Sequence, residues 1–429
     1  MTHCHRCAGD VAREVPRTGR RSRAYPRPMS ADRRRGAAWL VVLLAAVTAL
    51  TPLTINLYLP AFPLIAAELG VGHGQVQVTM TATLVGVAVG QLFLGSVSDA
   101  VGRRPPLLVA LGAYAVVSVV IAAVSDVTLL TVLRFVQGFL GAAGMVVAMA
   151  TVRDMYEGVN VGKVLSRLML VVGVAPVLAP ALGSQLLLVG SWRLLFLVLA
   201  GLAVVLVVLV ALTLPETLPR TVRRRGGTAG AVRSYRNLLR DGAFVGLVAV
   251  AGLAMAGQYI YISASTFVFQ ETYGLTAQQF ALVFGLGAVM VTTGTQVAGV
   301  LLGRVRAVRI VGGALLVATC GAAAIIAVAL TVGTGPGLLW PLLAVLMPTI
   351  GAVGVLLPAV PAIALARQAH DAGSASAVLG AAQFGMAAVG APLSGVLGTS
   401  VTTMGAGMVL AYAAAGGVLL AVARRLPGM

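Results

Sequence analysis

The chain has 429 residues, of which 59% are hydrophobic and only 10% are charged, and its mean hydropathy is +0.99. Soluble domains are about half apolar and about a quarter charged. This chain therefore cannot cover its apolar surface with polar groups, and we expect most of it to lie in a lipid bilayer.

The chain is also strongly basic, with 30 Lys and Arg residues against 12 acidic ones and a net charge of +18. A nucleic-acid-binding protein would cluster these residues on a soluble face. Here all but Arg134 and Arg193 fall in the tails and in alternate loops between apolar runs. This is the positive-inside bias of membrane proteins. It excludes nucleic acid as the partner and predicts a multi-pass protein of the inner (cytoplasmic) membrane.

Twelve apolar runs follow one another along the chain. They occupy about 39–62, 76–98, 106–124, 128–151, 165–189, 192–214, 243–268, 278–302, 309–332, 338–364, 373–397 and 402–423. Only helices or closed barrels satisfy their backbone groups in hydrocarbon, and these runs are too long and too uniformly apolar for barrel strands. We predict an all-α polytopic membrane protein of twelve transmembrane helices with both termini in the cytoplasm.

The runs form two groups of six around a basic segment. This predicts a disordered basic tail (1–38), an N-terminal six-helix bundle (39–214), a basic cytoplasmic linker (215–242) and a C-terminal six-helix bundle (243–424). Two such bundles typically enclose a site near the middle of the membrane and rock against each other. The start codon is open between Met1 and Met29, and no cleavable signal peptide is apparent.

A charged turn follows the second run and contains Gly95, Asp99, Gly102, Arg103 and Arg104. An ordinary loop that obeys the positive-inside rule would explain the arginines, but the pattern Gly-x-x-x-Asp-x-x-Gly-Arg-Arg is more specific. It resembles the loop between the second and third helices of the major facilitator superfamily. The resemblance implies a gating loop in which Asp99 and Arg103 hold the two halves together in the outward-facing state.

The fourth run contains Arg134 well inside its boundary. An arginine deep in a span costs about 2.5–3.5 kcal/mol on insertion scales, so we do not expect it to face lipid. The alternative is a side chain that extends to the membrane interface. Arg134 and Gly138 resemble the fourth-helix signature of the same superfamily, which implies a role in proton coupling.

The fifth run carries small and helix-bending residues: Gly173, Pro176, Pro180 and Gly183. Glycine lets helices approach closely and proline bends them, so a kinked packing helix is one interpretation. The arrangement resembles the fifth-helix signature of drug:proton antiporters, although Ala179 and Ser184 replace two of its usual glycines.

Three further segments, 51–63, 259–275 and 371–377, resemble the bicyclomycin/chloramphenicol-resistance (Bcr/CflA) group of multidrug efflux transporters. Such relatives usually carry an aspartate where this chain has Asn56, and asparagine cannot titrate. No acidic residue lies in the middle of a run. Proton coupling is therefore implied by the resemblance alone. Coupling through Arg134, Asp99 or a peripheral acid, or its loss, all stay open.

Polar residues near the middle of runs are the candidates for contact with a substrate: Asn56, Tyr58, Gln258, Tyr259, Tyr261 and Gln383. Aromatic faces and a few amides suit amphipathic ligands; hydrogen bonds between helices are the alternative. The resemblance implies a monomeric pump that expels small amphipathic drugs, chloramphenicol- or bicyclomycin-like, by alternating access and in exchange for protons.

Other functions are open. Asn56 and the lack of a central acid leave open a membrane sensor that binds ligands without pumping them, and an exporter of one endogenous metabolite is a further alternative. An enzyme would cluster His, Asp or Glu within the spans, but all four histidines lie outside them. Cys4 and Cys7 have metal-ligand chemistry without a second ligand pair nearby. We therefore predict no enzyme activity, no cofactor and no metal site.

Overall fold

The computed structural model describes residues 31–156, 159–219, 221, 227–335, 339–368, 372–396 and 398–423. The predicted tail up to residue 30, with Cys4, Cys7 and Met29, lies outside these ranges, as do the arginines at 223–225 and Asp371. The described residues from Leu40 onward form one compact unit.

All the described regular elements are helical. The first half of the chain contains α1 (Ala31–Asn56), a short 3₁₀ turn (Leu59–Ala61), α2 (Phe62–Leu69), α3 (His73–Val101), α4 (Arg104–Ala122), α5 (Val127–Met155), α6 (Val159–Val189) and α7 (Trp192–Thr213). The amphipathic helix α8 (Gly227–Leu238) connects it to the second half. That half contains α9 (Gly242–Phe267), a π-helical turn (Val268–Thr272), α10 (Ala277–Leu301), α11 (Ala307–Thr331), α12 (Leu339–Ala366), α13 (Ala372–Gly390), α14 (Leu393–Val396) and α15 (Val401–Ala423).

Ten helical segments among the described residues are long and apolar enough to cross a membrane. They are Trp39–Leu69, His73–Val101, Arg104–Ala122, Val127–Met155, Trp192–Thr213, Gly242–Thr272, Ala277–Leu301, Ala307–Thr331, Leu339–Ala366 and Val401–Ala423. The two other predicted runs fall on α6, where Gly173–Val189 is a shorter apolar helix, and on α13 and α14, which are separated at Pro392. The all-helical membrane fold is confirmed, and the number twelve stays a prediction.

Short polar signals end and begin these helices. Gly102 follows α3 with φ +116°, a backbone conformation that residues other than glycine rarely adopt. This conformation turns the chain directly into α4. Asp126 accepts a hydrogen bond from the backbone N–H of Leu129 at 2.7 Å and so caps the start of α5. Asp241 accepts from the N–H groups of Ala243 and Phe244 and caps α9 in the same way.

Helices α3 and α5 pack with their backbones almost in contact. A Cβ atom at Gly86 would overlap the carbonyl oxygen of Phe135, and one at Gly138 would overlap that of Thr83. Small residues at such interfaces allow the close van der Waals packing that holds membrane helices together. The second half has the same arrangement between α10 and α12, because Gly294 and Gly354 each lie against the opposite backbone.

We expect Gly86→Ala to destabilise the protein by about 1–3 kcal/mol, because the added methyl group overlaps backbone atoms that cannot move independently. Gly201→Ala is the matched control, since a Cβ there meets nothing within 4 Å. Thermal unfolding of the purified protein in detergent measures both. Equal melting temperatures for the two variants would contradict the packing argument.

Candidate functional site

The helices place the predicted site residues at two ends and in the interior of the protein. We call the end where α3 meets α4 the Arg103 end, and the end where α3 begins the His73 end. Because successive long helices run in opposite directions, each connection between them lies at one of these two ends.

At the Arg103 end, Arg103 lies at the centre of a set of charged bonds. Its Nε donates to Asp154 at 2.8 Å, and its Nη1 donates to Asp99 at 2.5 Å and to Ser98 at 2.8 Å. Its backbone N–H donates to Glu216 at 2.8 Å. Burial lowers the pKa of Arg103, but the bonds to Asp154 and Asp99 outweigh it, so the pKa lies above its usual value.

The predicted gating residues therefore meet within the first half of the chain. Asp154 ends α5 and Glu216 follows α7, so the bonds of Arg103 join α3, α5 and the segment after α7. Arg104 adds bonds to Glu216 and to the carbonyl of Ala211. The arrangement fixes the turn between α3 and α4 against two other helix ends.

A cavity of about 380 Å³ lies beside this turn, between α3 and α5 of the first half and α13 of the second. Its lining includes Gly95, Asp99 and Arg103 of the predicted gating loop, together with Tyr235 of α8. The hydroxyl of Tyr235 donates to the carbonyl of Leu92 at 3.2 Å, and burial raises the pKa of this phenol. None of the six predicted substrate-binding residues is part of the lining.

At the His73 end, the two halves are bonded to each other. His73 Nε2 lies 3.1 Å from Glu271, its Nδ1 lies 2.9 Å from the hydroxyl of Thr399, and its ring stacks on Phe267 with centroids 4.1 Å apart. Gly74 approaches the backbone of Gly395. The N-terminal end of α3 is thus held against α9 and the segment before α15.

Three glutamine side chains each donate a hydrogen bond to a backbone carbonyl of the opposite half. The bonds run from Gln77 to Ser263, from Gln270 to Pro60 and from Gln278 to Ser184, at 3.3, 3.2 and 3.0 Å. The structure therefore combines a bonded interface between the halves at the His73 end with a cavity between them at the Arg103 end.

Arg134 lies fully buried in the interior of the first half. Its Nη1 donates to Gln137 at 2.5 Å and its Nη2 to the carbonyl of Thr54 at 3.0 Å. Its guanidinium carbon lies 4.1 Å from the centre of the Tyr58 ring and 5.5 Å from that of Phe196. The alternative of a side chain extending to the interface does not fit this position.

A chain of hydrogen bonds fixes the groups around Arg134. Gln137 donates to the hydroxyl of Ser118 at 2.7 Å, and Ser118 donates to the carbonyl of Tyr114 at 2.8 Å. The hydroxyls of Tyr114 and Thr54 lie 2.5 Å apart. The network joins α1, α4 and α5, so the position of the guanidinium depends on three helices at once.

The predicted substrate-binding residues are mostly buried in the same apolar core. Tyr58, Tyr259 and Tyr261 belong to one core cluster, while Gln258 and Gln383 are half-buried. Among the described residues, the Tyr58 and Tyr261 hydroxyls and Gln258 Oε1 are buried without a hydrogen-bond partner.

Asn56 has a local role instead. Its Nδ2 donates at 2.7 Å to the carbonyl of Pro52, one turn earlier in α1. The amide thus serves the last turn of a proline-containing helix. This bond lies within α1, so it is not the hydrogen bond between helices that was the alternative considered from the sequence.

The small residues of α6 face neighbouring helices. A Cβ at Gly183 would overlap the carbonyl of Leu57, while one at Gly173 would meet Thr292 of α10 only at 4.0 Å. Pro176 and Pro180 both lie inside the helix. The predicted antiporter helix therefore contacts α10 of the second half and the segment after α1.

Sequence reasoning missed most of the partners. Asp154 and Glu216 carried no signal of their own, because a carboxylate at a helix end is common. Gln137 could have been found, since it lies three residues after Arg134 and so shares its helix face. The cavity residues Gln91 and Tyr235 lie on different helices, and only the packing brings them together.

Comparison with known proteins agrees with this architecture. The family model described as Major Facilitator Superfamily matches residues 44–392. An uncharacterised MFS-type transporter, YdgK of Bacillus subtilis, is 36% identical over 86% of this chain and 91% of its own length. A bicyclomycin resistance protein homologue of Haemophilus influenzae is 31% identical over 58% of this chain and 63% of its own length, which is less than two thirds of that relative.

The crystal structure of a bacterial homologue of the human lysosomal transporter Spinster shares the fold, with a TM-score of 0.69, 15% identity and coverage of 90% of this chain and 97% of that one. The family match and the relative in Bacillus subtilis make the protein a multi-pass membrane transporter for small molecules and not an enzyme. The chain belongs to the major facilitator superfamily, which confirms the resemblance seen in the sequence.

We expect Arg103→Gln to destabilise the purified protein by about 1–3 kcal/mol, because Asp99 and Asp154 lose their charged hydrogen bonds together. Arg309→Gln is the control, since Arg309 is exposed at the start of α11. Denaturation followed by tryptophan fluorescence measures the change. A loss no larger than that of the control would refute the central role of Arg103.

Proposed function

We propose that the protein expels small amphipathic drugs, chloramphenicol- or bicyclomycin-like, across the cytoplasmic membrane by alternating access. The observation that carries the proposal is the asymmetry between its two ends. The halves are bonded to each other at the His73 end, while a cavity lies between them at the Arg103 end. Transporters built from two bundles work by exchanging such arrangements around a site between the bundles.

The direction of transport follows from the proposed orientation. The connections at the Arg103 end carry nearly all the basic residues between spans, whereas Arg193, in the first turn of α7, lies at the His73 end. The positive-inside rule then places the Arg103 end, and with it both termini of twelve spans, in the cytoplasm. In this orientation the cavity faces the compartment from which a drug must be removed.

Drugs are the proposed substrates because the motifs resemble the Bcr/CflA group and a relative carries a bicyclomycin-resistance name. Buried aromatic side chains of α9 and of the segment after α1 suit such amphipathic molecules. We propose that Asn56, Tyr58, Gln258, Tyr259, Tyr261 and Gln383 contact the substrate in the course of the cycle. The exporter acts as a monomer.

We further propose that proton entry drives export and that Arg134 takes part in the coupling. A buried guanidinium whose hydrogen-bond network joins three helices is sensitive to any movement of those helices. The gating loop, Gly95 to Arg104, and the antiporter helix, Gly173 to Gly183, change their contacts as the halves rock. A sensor that binds drug without pumping is the second candidate, favoured by the absence of acids from the middle of the apolar runs.

We expect the chain to lower chloramphenicol accumulation in a bacterial host that lacks its main efflux pumps. A protonophore should abolish the effect, and Arg134→Ala should reduce the export rate at least about tenfold, because the buried charge organises three helices. Arg309→Ala is the control of equal charge change on an exposed site. Unchanged accumulation with well-expressed protein, across a panel of amphipathic antibiotics, would refute drug export.

We expect Asn56→Asp to make export depend more steeply on pH, because burial in an apolar setting raises the pKa of a carboxyl group toward working pH. Asn56→Gln keeps an uncharged amide and serves as the control. Everted vesicles with a pH-sensitive dye report proton movement on drug addition. If drug addition changes the pH in vesicles with the natural chain, the non-pumping sensor is excluded. If drug addition changes the pH neither with the natural chain nor with Asn56→Asp, proton coupling is refuted.

A further inference from the structure

The interior of the first half contains an unbalanced positive charge. Arg134 is fully buried, and among the described residues its guanidinium bonds to an amide oxygen and a backbone carbonyl but to no carboxylate. None of the 12 acidic residues lies in the middle of an apolar run. Buried charges are normally paired, since a low-dielectric surrounding does not screen them. A molecule that enters this region therefore meets a positive potential.

The buried polar atoms without partners are a second, independent reason to expect a preference for ligands with hydrogen-bond acceptors. Arg134 Nε and the Tyr58 and Tyr261 hydroxyls are buried and, within the described part of the chain, have no hydrogen-bond partner. The exposed fractions of these side chains are only 0%, 1% and 4%. All three groups can donate a hydrogen bond. Among the unpartnered atoms of the predicted substrate-binding residues, Gln258 Oε1 is the one that can only accept.

Two of these groups lie together, because Arg134 of α5 stacks on Tyr58 after the end of α1, while Tyr261 of α9 belongs to the same buried core cluster as Tyr58. The guanidinium carbon lies 4.1 Å from the centre of the Tyr58 ring, and Tyr58 and Tyr259 of α9 belong to the same buried core cluster. Leaving a buried donor unpaired costs about 1–3 kcal/mol. A bound molecule that supplies acceptors would recover this free energy, and a positively charged one would not.

We propose that the transport site selects compounds that are rich in hydrogen-bond acceptors and carry no positive charge, and that it rejects lipophilic cations. Nitro, amide carbonyl and carboxylate groups supply suitable acceptors. The inference rests on the proposed export function and on the proposed substrate-binding residues of α1 and α9. It restricts the substrates to one charge class within the wide range of amphipathic drugs.

The test measures binding rather than export, because Arg134 is also the proposed coupling residue. The full chain in lipid nanodiscs is dialysed to equilibrium at pH 8.5 with chloramphenicol, which is neutral, or with tetraphenylphosphonium, a permanent cation. We expect the natural chain to bind the cation at least about tenfold more weakly than chloramphenicol.

Two substitutions change the charge in the same region. Asn56→Asp adds a carboxylate at the end of α1, between Thr54 and Tyr58 in the chain, and should raise the affinity for the cation at least about tenfold. Asn56→Gln alters the same side chain without adding a charge, so the difference in cation affinity between the two variants measures the effect of the carboxylate alone. Arg134→Gln should also raise cation affinity, whereas Arg134→Lys, which keeps the charge, should not.

The outcomes separate this inference from the export function. The charge selection would be overturned if the natural chain bound both probes equally. It would also be overturned if Asn56→Asp bound the cation no more tightly than Asn56→Gln does. Either result would leave drug export standing. Binding of neither probe by well-folded protein would overturn both proposals.

Discussion

Close contact between helix backbones is the constraint on which the rest of this structure depends. In a bilayer, two helices gain little hydrophobic free energy by associating, so they must pack closely or share polar bonds. Gly86 and Gly138 allow this contact between α3 and α5, and Gly294 and Gly354 allow it between α10 and α12. These are the second and fourth long helices of each half. The same solution at corresponding places is what an internally repeated transporter would contain.

The buried charge of Arg134 is compatible with the membrane only because this packing is rigid. Its neighbours on α1, α4 and α5 are themselves bonded to one another, so the guanidinium keeps its acceptors while no lipid reaches it. Polar networks of this kind stabilise a fold only when they are nearly complete. Arg134 Nε and the Tyr58 hydroxyl are the exceptions here, and the incompleteness lies where the proposed substrate would bind.

The membrane fold was largely predictable from the sequence, whereas the partners within the site were not. The run at 192–214 became α7, Trp192–Thr213, because hydropathy alone decides where a chain enters lipid. The run at 373–397 was predicted as one span, but α13 and α14 are separate helices, since Pro392 has no N–H to continue the helix. Arg103 was recognised by its motif. Its partner Asp154 lies 51 residues away, and only tertiary packing shows that contact.

The three glutamine bonds at the His73 end have an evolutionary consequence. In each, one half supplies a side-chain amide and the other a main-chain oxygen. Every residue type offers that oxygen, so Ser263, Pro60 and Ser184 can be replaced without removing the acceptor. Selection on these three bonds therefore falls on the donor positions, Gln77 in the first half and Gln270 and Gln278 in the second, and the acceptor positions of either half can drift in sequence while the bonds persist.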